Sequence, residues 1–149
     1  MKLLVSMAAG AAALAGAAIA EPLKDGEVFG DWKVACAAGS PCQAFLGLKD
    51  EKTGRLVLSA STYKAAGDKH PTMLLSLPLG LSLKDGVALV SGAAGEAAIP
   101  ARLDVCFPDG CRAVIELTPA TVDALTAAQA FEVRFIAYGA KDRVESVKV

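Results

Sequence analysis

Four cysteines stand in two close pairs, and nothing else in this chain restricts its fold so tightly. Cys36 and Cys42 are separated by a polar loop, residues 37–41, and Cys106 and Cys111 by a Pro108-Asp109-Gly110 turn. Four cysteines allow three connectivities. Near pairing, Cys36 with Cys42 and Cys106 with Cys111, is favoured because residues opposed across a hairpin hold their α carbons at about the separation a disulfide requires. Each short loop would contribute only about 2 kcal/mol, so such bridges pin strand registers more than they hold up a fold. A four-thiolate zinc site competes poorly: its usual spacing within a pair is tighter than that of Cys36 and Cys42. No Cys-x-x-Cys redox motif is present.

The N-terminus supplies the compartment in which disulfides form. Met1-Lys2 is a positive start, residues 3–19 are an uncharged Ala-rich apolar run, and Ala18-Ile19-Ala20 is a small-x-small site before Glu21. These are the three parts of a secretory signal peptide, with cleavage expected between Ala20 and Glu21. The run is too diluted by Ala, Gly and Ser to read as a retained span, and no later segment is long and apolar enough to cross a bilayer. Residues 21–149 are then expected to form a single exported domain, long enough to bury a core. The formal net charge is -1, and loss of the leader removes only Lys2 from it. That balance gives no electrostatic reason to expect nucleic acid or an anionic membrane as partner.

The mature region reads as short strands between turn signals. Phe29-Gly30-Asp31-Trp32 leads through Cys36 into residues 42–46 as one stapled hairpin; Trp32, Val34 and Cys36 share a face, which makes the sole tryptophan a candidate core anchor. Residues 55–63, Thr72–Leu77, Val87–Ser91, Ala97–Phe107 and 111–117 follow as strands. Leu81-Ser82-Leu83 resumes the alternation after Pro78 breaks it, and Lys84-Asp85-Gly86 reads as a hairpin turn into Val87. Thr118-Pro119 opens the one short helix, a capping side chain followed by proline at the first helical position. In residues 131–138, Phe131, Val133 and Phe135 alternate with Glu132 and Arg134, and residues 144–149 close the chain. Eight or nine short strands with one helix describe an all-β fold, an antiparallel β-sandwich or a partly closed barrel.

A constellation for catalysis is missing from this pattern. The single histidine, His70, precedes Pro71 in a polar loop, and no Gly-x-Ser-x-Gly elbow, Ser-x-x-Lys motif or phosphate loop occurs. No cofactor and no metal is implied. The apolar run Leu77-Pro78-Leu79-Gly80-Leu81 has two readings: a buried corner of the core, or an exposed binding edge.

Phe29-Gly30-Asp31-Trp32-Lys33-Val34-x-Cys36, Cys42-Gln43, Leu77-Pro78-Leu79-Gly80-Leu81 with Gly86-Val87, and Cys106-x-x-x-Gly110-Cys111 recur here in an order and spacing that resembles the invasion-associated locus B family of exported alphaproteobacterial proteins. The resemblance covers nearly the whole mature chain, except that family members run on past the position of Val149 through a further apolar segment. It implies a periplasmic or envelope-associated protein, linked in host-associated members to entering host cells, and it carries over no catalytic residue. The expected function is therefore non-catalytic: an interaction protein of the periplasm, associated with the outer membrane or secreted, whose partner is an envelope or host protein. Residues Leu77, Pro78, Leu79 and Gly80 are its candidate binding surface. A carrier holding a small apolar molecule inside a β-barrel is the alternative, and a hydrolase built on distant carboxylates is a third.

Overall fold

The structure, a computed structural model, describes residues 22–49, 52–54, 56–91, 97–128, 130–139 and 144–148. The expected leader and its cleavage site at Ala20 and Glu21 lie outside them. Among the described residues ten strands and one helix follow in chain order: β1 (Val28–Phe29), β2 (Trp32–Ala35), β3 (Gln43–Lys49), β4 (Leu56–Tyr63), β5 (Thr72–Leu77), β6 (Val87–Ser91), β7 (Ala97–Phe107), β8 (Gly110–Glu116), α1 (Pro119–Ala127), β9 (Phe131–Ile136) and β10 (Val144–Lys148). All pair antiparallel in the spatial order β1-β2-β3-β4-β5-β8-β7-β6-β9-β10. The order is linear, with β1 and β10 at its ends, so the sheet does not close into a barrel.

β7 is the strand that joins the two halves. Its eleven residues pair with β6 from Ala97 to Ala101 and with β8 from Arg102 to Phe107. A register shift between Leu103 and Val105 marks a bulge at Asp104. Such a bulge bends a strand and strengthens its twist, and this one lies just past Ala101 and Arg102, where β7 passes from one partner strand to the other. Buried side chains from both halves form one cluster: Leu46, Leu58, Leu75, Leu77, Ala113 and Ile115 from one, Val87, Leu89, Val133 and Phe135 from the other. Within the larger half Leu46, Ala60, Leu75 and Ala113 stand side by side across four strands. Large and small residues therefore alternate along the row, which is how a flat face meets the side chains opposite without voids.

Two local readings change. Phe29-Gly30-Asp31-Trp32 is not an extended stretch but a tight turn of its own: Phe29 pairs with Trp32, and Gly30 has φ of 60°, a backbone that glycine adopts freely. The stapled hairpin is thus preceded by a second, smaller one. Trp32, at the start of β2, is half-buried and packs against the margin of the core. The second change is at Lys84-Asp85-Gly86, which does not reverse the chain. Leu81 pairs with Ala137 and Val87 with Phe135, so residues 82–86 loop out between two positions opposite one strand, β9. An Asp-Gly signal reports a local change of direction, and it is the partner strand that decides between a hairpin and a loop.

The cysteines are bonded Cys36–Cys42 and Cys106–Cys111. Helix α1 is capped by Thr118, whose Oγ1 accepts from the Thr121 amide at 3.2 Å. None of its residues is fully buried, and it meets the core through half-buried Leu125.

Candidate functional site

A turn at the strand break, not alternation, separates the two readings of the Leu77-Pro78-Leu79-Gly80-Leu81 run. Leu77 and Leu81 point inward and are buried, whereas Leu79 is 54% exposed. Gly80, with φ of 86°, lets the chain turn between them. The Tyr138 amide donates to the Gly80 carbonyl at 2.7 Å, and the Ser82 amide to the Ile136 carbonyl at 2.7 Å. These bonds fix the loop against the end of β9. Inside the loop, the Ser82 hydroxyl donates to Asp85 Oδ2 at 2.5 Å. The result is a rigid tip on which three large apolar side chains face water: Leu79, Leu83 at 62% and Tyr138 at 84% exposure. Scattered apolar residues are ordinary on a surface; several carried on segments bonded to one another mark a place for contact.

Beside this tip lies an open cleft of about 420 Å³ whose lining includes Asp85, Gly86, Ala88, Pro100, Arg134 and Ile136. Ala88 stands between Pro100 of β7 and Arg134 of β9 in register, which puts the three on the face turned away from Val87, Leu89 and the core. Arg134 is engaged on its own strand, its Nη2 3.2 Å from Glu132 Oε2. The cleft therefore offers small apolar walls and a cation already neutralised by a neighbour. It is suited to contact.

Arg112 pairs with Asp109 at 2.7 Å and lies over the Phe107 ring, 5.6 Å from its centre, so it locks the β7-β8 turn. Among the described residues no group of three or more His, Cys, Asp or Glu is placed to hold a metal ion. No helix among them is long and apolar enough to cross a membrane.

Of the candidate surface residues, then, Leu79 and Gly80 are exposed, Pro78 is half-buried and Leu77 belongs to the core. Sequence reasoning passed over Tyr138 and Leu83. Tyr138 had a signal: by strand parity it falls with Glu132 and Arg134, on the solvent side of β9. Leu83 had none, because parity would place it inward with Leu81, and only the looping out of residues 82–86 turns it to water.

A family model described as "Invasion associated locus B (IalB) protein" matches residues 32–149. No curated protein matches. Among solved structures, the crystal structure of invasion associated protein B from Bartonella henselae superposes with a TM-score of 0.70 at 22% identity, covering 83% of this chain and 85% of that one. At that identity the likeness speaks for a shared fold.

Proposed function

We propose, from the premise that this chain belongs to the invasion associated locus B family, that it is an exported, non-catalytic protein of the cell envelope that works by binding another protein. The observation that carries this reading is the tied tip of Leu79, Leu83 and Tyr138, whose apolar area remains in water although the chain buries its other leucines of that segment. Burial of such a patch against a partner recovers about 25 cal/mol for each Å² removed from water. Two disulfides suit an oxidising compartment, which supports the periplasm as its place. The partner is an envelope protein or, for a bacterium living on a host, a host protein. The carrier reading has less support, since a sheet with free ends encloses no barrel interior.

The test is site-specific crosslinking in the cells that make the protein. A photoreactive residue at position 83 or 138 is expected to give a discrete adduct with one protein, and the same residue at exposed Lys69 to give none. The combined variant Leu79→Ser, Leu83→Ser, Tyr138→Ser should lose that complex while keeping its disulfides and its unfolding midpoint. Absence of any adduct at the tip, or adducts of equal yield at Lys69, would count against the reading.

A further inference from the structure

The two disulfides differ in how a third sulfur can reach them. Cys36 and Cys42 are both half-buried, and the lead-in segment, residues 22–27, folds over them. The Leu23 carbonyl oxygen lies 3.9 Å from Cys36 Sγ and 3.7 Å from Cys42 Sγ. Bonded sulfurs carry no hydrogen, so these are close contacts that set a partial negative charge against both. The lead-in is held in place from several directions: Asp25 Oδ1 accepts from the Cys36 amide at 2.9 Å, the Gly26 amide donates to the Val34 carbonyl at 2.9 Å, and the Val34 amide donates to the Glu27 carbonyl at 2.8 Å. An approaching thiolate would meet a carbonyl dipole of unfavourable sign on a segment that cannot easily move aside.

Cys106 and Cys111 are placed differently. They face each other across β7 and β8, yet Cys111 is buried in the core at 2% exposure while Cys106 stands in solvent. The ionic neighbour is the Arg112 guanidinium, which is itself paired with Asp109 at 2.7 Å and whose Nη1 donates to the Cys111 carbonyl at 3.4 Å, so among the described residues no segment or uncompensated negative charge is laid over this bridge. Thiol–disulfide exchange depends on which sulfur can be attacked and on access to it. From these two environments we propose that Cys106–Cys111 is a thiol-exchange site, opened through Cys106 by a dithiol of the Cys-x-x-Cys class, while Cys36–Cys42 is a permanent staple.

In the exchange, a thiolate of the dithiol attacks Cys106 Sγ. A bond forms between those two sulfurs, the Cys106–Cys111 bond breaks, and the electron pair leaves on Cys111 Sγ, which takes a proton. The second thiol of the reagent then displaces Cys106, so the reagent ends as a disulfide and the protein as two thiols. The β7-β8 register holds both cysteines opposite each other throughout, since Val105 pairs with Arg112 and Phe107 with Gly110 on either side. Reoxidation is then an intramolecular step between groups already in place.

The experiment is limited reduction of the oxidised protein under native conditions with dithiothreitol, followed by acid quenching, alkylation and peptide mapping. The Cys106 and Cys111 thiols are expected at least tenfold faster than those of Cys36 and Cys42. A Cys-x-x-Cys protein with its second cysteine changed to serine is expected to be trapped as a mixed disulfide on Cys106. Equal rates, the reverse order, or trapping on Cys111 would overturn the proposal. The variant Asp25→Ala loosens the lead-in and is expected to speed opening of Cys36–Cys42 severalfold; an unchanged rate would remove the shielding argument.

Discussion

A side chain at position 110 would run its Cβ into the Leu77 carbonyl oxygen, and φ there is 140°, where L residues are strained. Gly110→Ala is therefore expected to lower stability by about 3 kcal/mol, seen as a fall in the urea midpoint with an unchanged slope. Two leucines in one short run make a sharper contrast. Leu77→Ala leaves a cavity in the shared core and should cost about 3 kcal/mol, whereas Leu79→Ala should change stability by less than about 0.5 kcal/mol. Thermal unfolding of the two variants checks the difference, and equal losses would mean that Leu79 is packed. At this scale only part of the candidate site was legible. Period-two alternation puts Tyr138 outward, because parity is a local property of an extended chain, but it gives Leu77, Leu79 and Leu81 one face, and it is the break at Pro78 with the positive φ of Gly80 that turns Leu79 to water. Nor could parity place Leu83, whose direction depends on a loop anchored to a strand more than fifty residues away in sequence.

Among the elements, helix α1 rests on its ends more than on its faces, since none of its residues is fully buried. Replacing the Thr118 cap removes the hydroxyl that accepts from the Thr121 amide; Thr118→Ala should cost about 1 kcal/mol and lower the helical signal in far-ultraviolet dichroism. Both the cap and the proline that follows it are local chemistry, which is why this helix could be located from residues alone. The strands were legible for the same reason, through their alternation and their glycine turns. What sequence left open is pairing. β5 lies against β8 and β6 against β9, and neither partnership has a local signature, so Lys84-Asp85-Gly86 looked like a hairpin turn between strands that never pair.

For the molecule as a whole, a single buried cluster drawn from both halves implies that neither half has a core to keep once the other is lost. Oxidised protein is expected to unfold in one transition, with Trp32 fluorescence and far-ultraviolet dichroism following the same curve in denaturant. Two separated midpoints would show that the halves are independent. The shared strand β7 also has a consequence in time. β6, β7 and β8 are consecutive in sequence and neighbours in space, so they can meet by closing short loops, while β9 reaches β6 only across two strands and a helix, at a greater cost in chain entropy. Substitutions at Ala101 or Ala113 should therefore slow folding, and substitutions at Val133 should mainly hasten unfolding. Such rates would make β7 the early platform of assembly, onto which the β9-β10 flank docks late.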